Sequence, residues 1–106
     1  GEPWAVAKGF RGSAPLSKIV PIGDVSNLNS LHIRLCVNGT EKQRGSVPEM
    51  ERSIPELICY LSKVFGLRAG DCIFTGTPQG VGAVAAGDTL TAELVGLAEL
   101  SVAVRR

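Results

Sequence analysis

Aromatic residues are scarce in this sequence: one Trp, one Tyr and three Phe among 106 residues. The core has to come from Val, Leu, Ile and Ala instead. Concentrated charge is also missing. The formal net charge is +1, and the only adjacent basic pair, Arg105–Arg106, reads as a solvated tail, so no basic patch or stripe points to nucleic acid. No apolar run reaches the length of a membrane span. The opening Gly1-Glu2-Pro3-Trp4 has neither the basic start nor the apolar stretch of a signal peptide. Cysteine is limited to Cys36, Cys59 and Cys72, an odd number, widely spaced and without a Cys-x-x-Cys pair. That argues against a disulfide framework and a zinc site, and fits reduced thiols of a cytoplasmic protein, each packed in a buried or half-buried position. The lone histidine, His32, has nothing in the sequence to place it beside any of them.

What is present is an ordinary globular balance, 44% hydrophobic and 20% charged, which argues against disorder. The length allows one domain, residues 1–106, and not two. Thirteen glycines and six prolines imply many turns, and therefore strands more than long helices. The chain begins without Met, within what looks like a motif, and so reads as a fragment, a processed piece or one part of a split protein.

Leu31 to Val37 alternates strictly, with Leu31, Ile33, Leu35 and Val37 on one face of a half-buried strand and His32 and Arg34 on the outward face. Asn38-Gly39 follows as a hairpin turn, because both positions tolerate positive φ, with Thr40 to Arg44 as the polar return strand. Ser53-Ile54-Pro55-Glu56 reads as a helix start: Ser53 caps, Pro55 lies in the first turn, and Glu56 stands at the capping-box position. Leu57, Ile58, Leu61, Val64 and Phe65 form an apolar stripe at helical spacing that predicts core packing, and Gly66 is a left-handed C-cap. Residues 67–71 are a turn leading to a short apolar strand, Cys72-Ile73-Phe74-Thr75. Gly76 to Gly82 is too rich in glycine for helix or strand. After a turn at Gly87-Asp88, residues 89–95 and 98–104 alternate again around Gly96 as a closing hairpin. The expected architecture is mainly β (α+β), with one helix.

Two stretches are candidates for chemistry. Lys8 sits inside an apolar run, Pro3 to Phe10; a lysine there either snorkels to solvent or has a partner that offsets its desolvation. Thr75-Gly76-Thr77-Pro78-Gln79-Gly80-Val81-Gly82 lets the backbone approach a ligand closely and offers N–H groups and hydroxyls to an anion such as a carboxylate. It is equally compatible with a tight glycine turn that binds nothing. It is not a P-loop, since no Gly-Lys-Ser/Thr follows.

Lys8-Gly9-Phe10, Ser13-Ala14-Pro15-Leu16, Val37-Asn38-Gly39, Ser53-Ile54-Pro55-Glu56-Leu57-Ile58, Gly70-Asp71, and Thr75-Gly76-Thr77-Pro78 with Gly80-Val81-Gly82 occur here in an order and spacing that resembles the fumarylacetoacetate hydrolase family. The likeness is to its C-terminal part, nearest the acylpyruvate and fumarylpyruvate hydrolase branch, and runs over nearly the whole chain. It implies a mixed β fold of the family's type, incomplete at the N-terminal side, and a homo-oligomer or association with a missing N-terminal half. It also implies Mg²⁺ or Mn²⁺ and a small 2-oxo acid substrate, with no nucleic-acid or membrane partner. The implied reaction is hydrolysis of a C–C bond in acylpyruvates, as in aromatic catabolism, with the metal acting as a Lewis acid. By the same resemblance, Lys8 is the catalytic lysine beside the metal site, and Gly76 and Thr77 contact the substrate carboxylate.

The family's metal-ligating glutamates and aspartate, and its general-base histidine, belong upstream of the position of Lys8. No metal ligand is assigned in this chain, and His32 does not match that histidine. Arg11 stands where relatives often carry Asp, and Gly12 replaces a side chain that is a hydroxyl in some members. Two other readings stay open. One is a non-catalytic folding or dimerisation module. The other is the same family acting as an oxaloacetate decarboxylase or a 2-oxo-alkenoate hydratase.

Overall fold

A computed structural model describes residues 9–105. Its centre is a four-stranded antiparallel sheet built from β1 (His32–Val37), β2 (Thr40–Ser46), β3 (Thr89–Leu94) and β4 (Ala98–Ala103), in the order β2-β1-β3-β4. Among the described residues, one helix, α1 (Ile54–Phe65), and three short 3₁₀ turns complete the regular structure. The expected class, mainly β with one helix, is what forms.

Local chemistry sets the joints. Asn38 and Gly39 take φ of 51° and 82°, the left-handed pair that a two-residue type I′ hairpin requires. Asn38 also ties this hairpin to the start of β3. Its side-chain oxygen accepts from the Thr89 N–H at 2.9 Å, and its amide donates to the Asp88 carboxylate at 2.9 Å. Gly96, at φ 78°, turns β3 into β4. At the head of α1 the Ser53 hydroxyl accepts from the Glu56 N–H and donates to the Glu56 carboxylate at 2.9 Å. That satisfies one orphan donor of the first turn. Gly66, at φ 68°, ends the helix in the left-handed region.

Register sorts the sheet into two unlike faces. Ile33, Leu35 and Val37 align with Leu94, Ala92 and Leu90 on β3, which align in turn with Ala98, Leu100 and Val102 on β4. This is a continuous aliphatic face. The other face carries Arg34, whose guanidinium bonds Glu41 on β2 at 2.8 Å and Glu93 on β3 at 3.0 Å. Arg34 and Arg44 stand directly opposite each other, a like-charge pairing that would destabilise the ladder. Glu41 relieves it by accepting from both. Hydrogen bonds from Arg44 first and Arg34 second hold the Glu41 carboxyl below its usual range. His32 is exposed on this face, as its place in the alternation predicts.

Three expectations are corrected. Residues 72–75 form no strand: the sheet ends at β2 and β4, and this segment joins no ladder with either edge. The stripe on α1 is not core: no residue of the helix is buried, Leu57 and Leu61 are half-buried, and Ile58, Val64 and Phe65 are exposed, Phe65 at 75%. Of the cysteines only Cys36 is buried, while Cys59 on that helix and Cys72 in the irregular segment are exposed. The return strand also runs two residues further than its polar stretch suggests, to Ser46.

Candidate functional site

The glycine-rich loop lies against the outer strand of the sheet, and β2 is shaped to receive it. The pairing of β1 with β2 steps from Leu35–Gln43 to Cys36–Glu41, leaving Lys42 as the extra residue of a β-bulge. A bulge shifts the alternation by one, which turns Gln43 and Gly45 onto the aliphatic face opposite Leu35 and Ile33. Three contacts then seat the loop. The Gln43 side-chain amide donates to the Thr77 hydroxyl oxygen at 2.7 Å and to the Pro78 carbonyl at 2.8 Å. The Pro78 ring fills the space where a side chain at Gly45 would begin; a Cβ there would stand 3.1 Å from Pro78 Cβ. Gly80, at φ 105°, brings its backbone so close to the bulge that a Cβ would overlap the Lys42 carbonyl oxygen.

Between this loop, the aliphatic face and residues Pro15–Ser17 lies an open cavity of ≈ 400 Å³. Its walls are mostly aliphatic, with Thr77, Gln43 and Ser17 as uncharged polar residues and Arg34, Glu93 and Glu99 as charged ones. A largely apolar hollow with a few convergent polar groups is the usual form of a small-molecule site.

Of the residues singled out from the sequence, Thr77 lines the cavity. Gly76, at φ 98° and with nothing within 4 Å of an added Cβ, is exposed beside it. Its glycine answers a conformational need rather than a close approach. Lys8 lies outside the described residues. Arg11 and Gly12 are both exposed. The close backbone approach expected of this loop is made by Gly80, and it is made to β2. Gln43 was not among the sequence candidates, although a polar residue brought onto an aliphatic strand face is a signal that something there needs a hydrogen bond.

The metal implied by the resemblance finds no seat here. Among the described residues no three His, Cys, Asp or Glu side chains converge in a way that could hold an ion, and Mg²⁺ or Mn²⁺ calls for several oxygen ligands.

Comparison with known proteins places this architecture. The family model for the fumarylacetoacetate (FAA) hydrolase C-terminal region matches residues 1–105. The chain is 42% identical over 106 residues to the oxaloacetate tautomerase FAHD1, mitochondrial, of Rattus norvegicus, covering all of this chain and 48% of that protein. A structure from Yersinia pestis CO92, assigned to the fumarylacetoacetate hydrolase family, superposes with a TM-score of 0.88 at 39% identity, over 97% of this chain and 47% of the other. Fumarylpyruvate hydrolase from Pseudomonas aeruginosa, solved with Mn²⁺ and pyruvate, gives a TM-score of 0.75 at 42% identity, over 80% of this chain and 36% of the other. The chain thus spans about half the length of the curated relatives it matches. With sheet, helix, glycine loop and nearly every residue accounted for by the match, this chain belongs to the fumarylacetoacetate hydrolase family and corresponds to its C-terminal region.

Proposed function

We propose that the protein to which this chain belongs hydrolyses a C–C bond in acylpyruvates, β-diketo acids of the fumarylpyruvate type. The observation that carries the reading is the seated Thr77 loop at the cavity, in a fold shared with a hydrolase that holds Mn²⁺ and pyruvate. Thr77 offers a hydroxyl and Gly76 a backbone N–H to the carboxylate of the 2-oxo acid end. Lys8 supplies a positive charge that favours the enolate released when the bond between the two carbonyl units breaks. In that reaction the oxygen of a water adds to the distal carbonyl, the C–C bond breaks, and its electron pair leaves on the pyruvate fragment, which then takes a proton. The base for that water, and the carboxylates for Mg²⁺ or Mn²⁺, come from outside the described residues. Three unpaired thiols suit a reducing compartment such as the cytoplasm.

A second reading is favoured by the rat relative, an oxaloacetate tautomerase matched along the whole chain. Oxaloacetate is also a 2-oxo acid that passes through an enol, so Thr77, Gly76 and Lys8 keep their parts while no water is added.

The test gives the full-length protein an acylpyruvate or oxaloacetate, with and without Mn²⁺, following enol absorbance and identifying products. Pyruvate plus a free acid indicates hydrolysis, accelerated change of enol absorbance with oxaloacetate recovered intact indicates tautomerisation, and CO₂ indicates decarboxylation. Turnover of none of them, with Mn²⁺ present, would overturn both readings. Lys8→Ala is expected to lower turnover by roughly 100-fold or more; near-normal turnover would remove Lys8 from the mechanism.

A further inference from the structure

We propose that Gln43 is a positioning residue that fixes Thr77 as a hydrogen-bond donor to the carboxylate of the bound acid. This rests on the reading of Thr77 as a carboxylate contact. The Pro78 carbonyl can only accept. Because Gln43 reaches it at 2.8 Å, the group facing the loop has to be the NH₂ end of the amide and not its oxygen. The second hydrogen of that NH₂ goes to Thr77 Oγ1 at 2.7 Å.

A Thr hydroxyl has one proton and two acceptor sites. With Gln43 donating into one acceptor site, the proton of Thr77 is directed elsewhere, away from β2. A hydroxyl free to rotate could meet an approaching anion with either a proton or a lone pair. One already accepting from Gln43 offers the proton. The arrangement depends on the bulge at Lys42: without the one-residue shift, Gln43 would join Arg34 and Glu41 on the charged face. Gly45 and Gly80, which admit Pro78 and the Lys42 carbonyl, hold the loop at the distance the amide spans.

Gln43→Glu tests this with little change of shape. A carboxylate cannot donate to the Pro78 carbonyl, and it accepts from the Thr77 hydroxyl, turning that proton inward. In the full-length protein, pyruvate affinity is measured by calorimetry for wild type, Gln43→Glu, Thr77→Val and the double variant. Steady-state constants and thermal midpoints are measured alongside. The expected result is a loss of affinity of roughly 10- to 100-fold for each single variant. The loss should appear in KM more than in kcat, and the double variant should be no weaker than Thr77→Val, since both changes remove the same bond.

Multiplicative losses in the double variant, or a Gln43→Glu defect that follows the thermal midpoint and leaves pyruvate affinity intact, would overturn the assignment while the functional reading stood. Coupled losses of pyruvate affinity in a protein that turns over neither acylpyruvate nor oxaloacetate would uphold the assignment and defeat the functional reading. A wild-type protein that binds no pyruvate would overturn both.

Discussion

The uncovered aliphatic surface makes a quantitative demand. The chain exposes 8620 Å², whereas a folded monomer of 11.1 kDa is expected to expose about 5,700 Å². The difference, roughly 3,000 Å², is several times the ~800 Å² that each partner contributes to a stable interface. It includes large side chains that single domains normally cover: Phe65 and Phe74 at 75% and Ile33 at 43%. The isolated chain is therefore expected to self-associate with a Kd of about 1 μM or tighter. Ile33→Lys gives the matching perturbation. Ile33 lies mid-sheet on the aliphatic face, and its present exposure lets a lysine reach solvent in the monomer. An interface closing over that face would have to strip water from an ammonium, at a cost of about several kcal/mol, weakening association by roughly 100-fold or more. Sedimentation equilibrium across a concentration series measures both proteins, with circular dichroism to verify folding. A folded wild-type chain that stays monomeric at about 100 times the expected Kd would refute the surface argument. Association that is unchanged by Ile33→Lys would move the contact from the sheet to another surface, such as α1.

Other outcomes follow from the loop and from the charged groups. Gly80→Ala combines a φ of 105° with overlap on the Lys42 carbonyl, whereas Gly76→Ala meets a φ of 98° in open space. Both carry backbone strain of about 1–3 kcal/mol, so Gly80→Ala should lower the thermal midpoint further; equal shifts would mean that the seating on β2 contributes nothing. The Asp88 carboxyl is held below its usual range by the Ala85 N–H first and the Asn38 amide second. A carboxylate whose folded pKa is depressed adds stability above its unfolded pKa and loses it as pH falls through the folded value, here below about pH 4. Denaturant melts at pH 6 and pH 3 should show that Asp88→Asn flattens this acid dependence, and an unchanged slope would remove Asp88 from the account.

Much of the fold was legible because its signals are local. Asn38-Gly39, the Ser53 cap with Glu56, and Gly66 each act through their own few residues, and each forms where the sequence places it. The aliphatic alternation of residues 31–37 and 89–104 likewise marks the strands. Where a partner had to be supplied from afar, local reading failed. Cys72 to Thr75 has the composition of a strand but joins no ladder, and the stripe on α1 has helical spacing but is covered only in part. For the site, the Thr75 to Gly82 string identified the loop as unusual and the family resemblance assigned it a role. Neither indicated what the loop rests on.

Local signals in the amino-acid sequence set the class of fold, the positions of the turns, the helix and its caps, and family membership through motifs read in order. Tertiary structure alone decided the strand order, the bulge at Lys42, and the gathering of Gln43, Gly45 and Gly80 beneath Thr77 and Pro78. The physical reason is the range of the interactions. Turns and caps depend on φ preferences and hydrogen bonds a few residues apart, while a register shift changes which face a side chain occupies only when another strand is there to define the faces. Gln43 reads as one more polar residue in a polar return strand until β1 pairs with it and the bulge turns it inward.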